Sequence, residues 1–232
     1  MVTSSAVPRG VISRSALTSA AAAAVAAGGS IADLRRDAWG HGVLSVAHAV
    51  QIAGADAVLV DTPAQVEALR LEGLDAVVEA TADIDARLLY GLPDASGALT
   101  TDPVLRLVGR VMSTKRLKPG DAVSYGYTFR AQTATRVALV TGGYAQGIVR
   151  SLSNRASVEI DGSLHPIIGR VAMDVCVVDL DGGDAEIGAE ATYFGGRGPV
   201  SGALAQWASI TGLTVAELVA VAATHAVREW EP

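Results

Sequence analysis

Lysine is almost missing from this chain: of 18 basic residues only Lys115 and Lys118 are Lys, and the others are Arg. Chemistry that needs a free amine therefore has two side chains to draw on, because a guanidinium stays protonated and forms no practical imine. Cysteine is scarce too. The single Cys176 excludes an internal disulfide framework and a thiolate zinc cluster, and makes a reducing, cytoplasmic location the expectation. No metal site is expected. Long apolar runs are also lacking: the longest, from Ala20 to Ala27, is alanine-rich and far short of a membrane span. No basic start leads into an apolar run with a cleavage site, so a secretory signal is not expected, nor is a membrane partner. Finally, there is no basic excess. With 18 Lys+Arg against 24 Asp+Glu the formal charge is −6, and no basic stripe is present to neutralise phosphates, which argues against a nucleic-acid partner. What remains is half hydrophobic and only 18% charged, the composition of a chain that folds into one large or two modest domains.

The first ninety residues alternate short apolar runs with alanine-rich helical stretches. Strands are expected at Val7–Ser13, Ser30–Arg35, Ala57–Val60 and Ala76–Ala80. Helices are expected at Ser15–Ala27, ended by Gly28-Gly29, at Gly42–Ala53, and from Pro63 to about Glu72. That alternation predicts parallel strands joined by right-handed crossovers. A closed eight-fold barrel needs roughly 250 residues, and about three to four βα units cannot close one. A polar connection through Pro93–Gly97 and Thr100–Pro103 divides the chain into expected domains 1–97 and 98–232. Beyond it the signals are antiparallel. Leu105–Leu117 enters the turn Lys118-Pro119-Gly120-Asp121 and returns through Ala122–Ala131; Ser157–Ile160 meets the hairpin signal Asp161-Gly162; Ile167–Leu180 reads as strand. Two helices finish the chain, the second opening with the capping-box pattern Thr214-Val215-Ala216-Glu217 and burying Val215, Leu218, Val219 and Ala222. An incomplete barrel leaves strand edges unpaired, so either a dimer or strands folded back on the β-domain is expected.

Four clusters carry chemistry-bearing side chains. They are Arg35-Arg36-Asp37-Ala38-Trp39-Gly40-His41-Gly42, Val123-Ser124-Tyr125-Gly126, Gly142-Gly143-Tyr144-Ala145-Gln146-Gly147 with Arg150 behind it, and Gly169-Arg170-Val171-Ala172-Met173-Asp174. Each alone is compatible with turns, packing and surface pairs. In this order, with Lys118–Asp121 and Leu89-Tyr90-Gly91-Leu92, they resemble the alanine racemase family, closely over about Val104–Trp230 and again over roughly Val7–Gly73. The resemblance implies an α/β fold: a partial TIM-type barrel with its intervening strands deleted, then an alanine-racemase-type antiparallel β-domain.

It also implies pyridoxal phosphate held by a lysine that is one base, with a tyrosine from the partner subunit as the other, because racemisation needs an electron sink and a base on each face. The tyrosine corresponds to Tyr125, and Tyr144, Met173 and Asp174 line the substrate entry. The lysine position corresponds to Arg35. The other cofactor contacts correspond to Trp39, Ala216 and Ile84, none of which supplies the family's tyrosine hydroxyls or arginine, and Gln146 stands where Asp is common. No cofactor is therefore expected. The expected function is that of a non-catalytic racemase homologue in D-alanine and peptidoglycan metabolism, acting by dimerisation or small-ligand binding. Its partner would be another copy or a full-length alanine racemase. Two alternatives stand beside it. One is an active racemase using pyridoxal phosphate on Lys115 or Lys118. The other is a cofactor-free anion or amino-acid binding module built on Arg35, Arg36 and His41 at a helix N-terminus.

Overall fold

The computed structural model describes residues 7–232, so the first six residues of the expected first domain lie outside the described residues. The described chain forms two compact units. One comprises Val11–Leu105 with Arg228–Pro232; the other comprises residues 7–10 with Arg106–Val227. The changeover falls at Leu105–Arg106, just past the end of the polar connection at Pro103, because the long strand that follows starts there.

The α/β unit is built as the alternation predicts. Strand β1 (Arg9–Ser13) leads into helix α1 (Arg14–Ala26), whose first turn is capped where the Ala16 N–H donates to Ser13 Oγ at 3.3 Å. Strand β2 (Ile31–Asp33) is followed by the short segment α2 (Arg35–Trp39) and helix α3 (Val43–Ile52). Strand β3 (Ala57–Leu59) precedes helix α4 (Pro63–Leu71), which starts on a capping box between Thr62 and Gln65 with proline at its first position. Strand β4 (Ala76–Val77) and the short helix α5 (Ala86–Tyr90) complete it. Strands β2, β3 and β4 form a parallel sheet in that order, with Ile31 opposite Ala57 and Val58 opposite Ala76. Ala20, Ala21 and Ala24 of α1 and Val46, Ala47 and Val50 of α3 are buried. Small alanines let these two helices approach, which explains an alanine-rich helix with no leucine stripe.

The other unit is antiparallel. Its strands are β5 (Leu105–Leu117), β6 (Ala122–Val123), β7 (Phe129–Arg130), β8 (Thr135–Thr141), β9 (Ser157–Ile160), β10 (Ser163–Ile168), β11 (Val175–Asp179) and β12 (Glu190–Phe194). Six of them close a barrel in the order β12-β9-β10-β11-β8-β5, with β12 also pairing β5. Closure removes the edges that an open sheet of this size would expose. Helices α6 (Ala203–Thr211) and α7 (Val215–His225) follow, and Phe194 meets Trp207 edge-on at 5.4 Å. The Thr214–Glu217 capping box is present, with Leu218, Val219 and Ala222 buried and Val215 half-buried. The chain ends in strand β13 (Val227–Glu231), not in a helix.

Two strand expectations are corrected. The segment Ile167–Leu180 is two strands, β10 and β11, separated by the loop 169–174, whose Gly169 has φ +70°. The return Ala122–Ala131 is broken between β6 and β7 by a 3-10 turn at Tyr125–Tyr127, with Ser124, Gly126 and Tyr127 all at positive φ. Both breaks fall on the chemistry-bearing clusters. Among the described residues no single helix is long and apolar enough to cross a membrane.

Candidate functional site

In the α/β unit the first cluster stands at the C-terminal end of β2, the end at which parallel βα units present their functional loops. Residues Arg36, Asp37, Ala38 and Trp39 run consecutively through left-handed backbone, with φ between 53° and 57°, before Gly40 and Gly42 at positive φ. Such a turn costs about 1–2 kcal/mol per residue, so other contacts must hold it. Asp37 supplies them. Its Oδ1 accepts the Val43 N–H at the start of α3 at 2.8 Å, and its Oδ2 accepts from Arg228 Nη1 at 2.6 Å. Arg228 Nη1 also donates to the Gly40 carbonyl at 3.2 Å.

Arg35 is held by its own strand. Its Nε donates to Asp33 Oδ1 at 2.9 Å, its Nη2 pairs with Asp33 Oδ2, and this carboxylate raises the guanidinium pKa further. The same side-chain hydrogen bond lowers the Asp33 carboxyl below its usual range. Arg36 is exposed, with its backbone N–H on Asp61 Oδ2 at 2.7 Å.

At the N-terminus of α3 the Val43 N–H is taken by the chain's own Asp37 carboxylate. His41 is fully buried, and that burial lowers its pKa to about 4, so it is neutral at pH 7. Its Nδ1 donates to the Ala38 carbonyl at 2.9 Å, and its ring stacks on Tyr90 at 4.4 Å. Trp39 lies 5.0 Å from the same tyrosine ring. Burial also raises the Tyr90 phenol, whose hydroxyl has no hydrogen-bond partner among the described residues, as is true of His41 Nε2. The cluster is thus an aromatic stack under a strained turn.

The side chains that the resemblance places at cofactor contacts are Ile84, Trp39 and Ala216. Ile84 is buried and packs against the backbone at Gly29, where an added Cβ would sit 2.6 Å from Ile84 Cγ1. An apolar side chain there offers no charge to a ring nitrogen. Trp39 carries no hydroxyl. Ala216 belongs to α7, in the other unit. Both lysines are exposed and belong to that unit as well, Lys115 on β5 and Lys118 in the turn after it.

In the β unit the remaining three clusters are brought together by the loop 169–174, which is anchored at each of its six residues. The Gly169 N–H donates to Asn154 Oδ1 at 2.6 Å, Ser124 Oγ donates to the Arg170 carbonyl, and the Val171 N–H donates to Ser153 Oγ at 2.9 Å. The carbonyls of Ala172, Met173 and Asp174 accept from Tyr144, Ala145 and Gly142 respectively, at 2.8–3.0 Å. Gln146 Nε2 donates to Asp174 Oδ1 at 2.7 Å. Gly143 is required by this docking, since a Cβ there would overlap the Ala172 and Met173 carbonyl oxygens.

The result is a pinned face bearing exposed Tyr125 (68%), Tyr127 (65%), Met173 (54%) and Tyr144 (42%). Arg130 sits 5.8 Å over the Tyr127 ring and Arg150 5.8 Å over Tyr144. Arg170 lies beside Gly126. These three arginines form no ion pair among the described residues, and tyrosine with arginine is the composition of association hot spots. Tyr127, Arg130 and Arg228 were not singled out from sequence. Tyr127 and Arg130 sit beside a motif and carry no pattern of their own, and Arg228 acts across 191 residues.

Comparison with known proteins extends this picture. A family model described as "Alanine racemase, C-terminal domain" matches residues 104–230. The alanine racemase of Mycolicibacterium vanbaalenii is 45% identical over 95 residues, 40% of this chain and 24% of that protein. That of Chlorobaculum tepidum is 40% identical over 119 residues, 50% of this chain and 31% of that protein. The chain therefore spans about a quarter to a third of the length of the curated relatives it matches. The solved alanine racemase from Streptomyces coelicolor A3(2) superposes with a TM-score of 0.80 at 21% identity, covering 99% of each chain, which is a likeness of fold.

Proposed function

Since the chain belongs to the alanine racemase family, we propose that it is a member without racemase activity, which acts in D-alanine and cell-wall metabolism by associating through its β unit. The observation that carries this reading is the side chain at position 35. Pyridoxal phosphate, the cofactor that the resemblance implies, does not fit the residues at the strand ends of the α/β unit. That unit contains no lysine, and Arg35 is a protonated guanidinium tied to Asp33. Ile84 and Trp39 remove further contacts. Without an imine-forming amine the cofactor has no covalent anchor, and Tyr125 has no second base to work with.

Association is supported by the pinned Tyr/Arg face and by the charge of the two units. The β unit carries 12 Lys+Arg against 10 Asp+Glu, whereas the α/β unit carries 6 against 14. A mildly basic, aromatic face on one chain complements the acidic unit of another, and such complementarity favours encounter and register. The partner is a second copy or a full-length alanine racemase.

Titration of the full chain with pyridoxal phosphate tests the first half. No visible imine absorbance and no exchange of the alanine α-hydrogen are expected. An imine band that disappears in Lys115→Ala or Lys118→Ala would overturn the reading and favour an active enzyme with a relocated lysine. Co-purification with a co-expressed full-length racemase, together with the molar mass of the chain alone, tests the second half. Tyr125→Ala combined with Arg150→Glu should weaken the assembly with a second copy or with the full-length racemase that forms through this face, and an assembly of that kind indifferent to both changes would sink the proposed face.

A further inference from the structure

We infer that a pocket on the outer face of the β barrel takes a small α-amino acid as its zwitterion, with the ammonium on Glu159 and the carboxylate toward Arg106 and Arg197. This goes beyond the association proposed above and does not depend on the Tyr125 face.

Strand alternation builds the floor of this pocket. Val158 and Ile160 of β9 and Ala191 and Tyr193 of β12 are buried in the barrel, so Glu159, Glu190 and Thr192 turn outward. Thr192 stands opposite Glu159 in the ladder. The hairpin turn after β9 adds Asp161, and Arg106 of β5 with the loop 195–198 encloses a volume of about 280 Å³. That is the small end of the range for ligand sites.

The charges on its walls decide the class of ligand. Glu190 is matched within the chain: one carboxylate oxygen pairs with Arg9 Nη2, and the other accepts from Arg106 Nη1 at 2.8 Å. Glu159 is the contrary case. Its side chain is half-buried in the pocket, yet it makes no ion pair or hydrogen bond among the described residues. A carboxylate drawn partly out of water without a partner costs free energy that a bound ammonium returns. The loop leaves space for this carboxylate, since a Cβ at Gly198 would overlap both of its oxygens. Gly195 and Gly196 lie at positive φ, but Gly198 does not, so it is the carboxylate and not the backbone that requires glycine there. With Arg9 included, three arginines meet the three carboxylates Glu159, Asp161 and Glu190. Walls so balanced favour neither a net cation nor a net anion, but a ligand carrying both charges. The ammonium lies between Glu159 and Asp161, beside the Thr192 hydroxyl. The carboxylate meets Arg106 and Arg197, whose guanidinium groups carry five donors each and can serve more than one acceptor.

The test is isothermal titration calorimetry of the full chain with glycine, the smallest such zwitterion. Glycine should bind with a Kd of about 1 mM or below, within reach of so few non-hydrogen atoms. Methylammonium and acetate each carry one of its two charges, and each should bind at least about tenfold more weakly. Glu159→Gln removes the charge that the ammonium meets and should weaken glycine by about tenfold or more. Gly198→Ala keeps that charge in the chain but pushes it off the loop, and should weaken glycine to a similar degree while circular dichroism stays unchanged. If Glu159→Gln fails to fold, Gly198→Ala decides alone. Assembly through the Tyr125 face is read by molar mass and this pocket by heat of binding, so the two proposals fail separately. No heat at millimolar glycine, glycine bound no tighter than methylammonium or acetate, or an affinity indifferent to Glu159→Gln or to Gly198→Ala would overturn the inference.

Discussion

His41 shows what a single residue inherits from its surroundings. A carbonyl can only accept, so the bond to Ala38 fixes the proton on Nδ1 and leaves Nε2 bare in a dry stack against Tyr90. Protonating it in place would bury an unpaired charge, and its pKa falls from 6.5 to about 4. The folded pKa lies below the unfolded one, so its contribution to stability is whole above pH 6.5 and shrinks as the pH falls toward 4, where both states bind the proton. The loss is about 3 kcal/mol. Chemical denaturation at stepped pH should show this slope, and His41→Phe, which keeps the ring stack and removes the titration, should flatten it. Arg35 is the opposite case. Its pair with Asp33 is exposed, and such pairs contribute little. Arg35→Ala should leave Tm within about 3 °C of wild type.

At the scale of elements, the left-handed turn α2 and the loop 169–174 are each held by a few hydrogen bonds that one substitution can remove. Asp37 caps α3 from outside the helix while its other oxygen takes Arg228. Asp37→Ala should cost about 1–2 kcal/mol through the lost cap alone, read as a lower midpoint in urea. It should also loosen Gly40, because Arg228 then keeps only a carbonyl. Gly143→Ala forces a methyl group into two carbonyl oxygens and should cost about 1–3 kcal/mol. Its second signature is a shift of the Tyr144 resonances, since Tyr144 docks on the displaced loop.

For the whole molecule, the uneven division of charge has a measurable consequence. The Debye length falls from roughly 30 Å at 0.01 M salt to 3 Å at 1 M. The proposed assembly through the Tyr125 face, which would join a basic surface to an acidic unit, should weaken steeply across that range. Sedimentation at both salt concentrations, on the wild-type chain and the Tyr125→Ala variant, checks this.

The parallel α/β alternation, the Leu105–Leu117 strand and the Thr214 capping box were all determined by the sequence, because propensity, caps and turn chemistry act within a few residues. The scarcity of lysine and the family motifs were legible for the same local reason. Tertiary structure alone decided the rest. Nothing near His41 in the sequence announces that it will be stacked on Tyr90 and stripped of water, or that Asp37 will use the helix end an anion would need. The loop that breaks the expected strand Ile167–Leu180 donates to Asn154 and Ser153 and accepts from Tyr144, and the break in Ala122–Ala131 is tied to it by Ser124 on the Arg170 carbonyl, all partners 15 or more residues away. The β2 edge is covered only because Asp83 and Ile84 return to the Ile31 carbonyl. Burial, charge pairing and edge coverage are sums over neighbours distant in sequence, and only the folded chain brings those neighbours together.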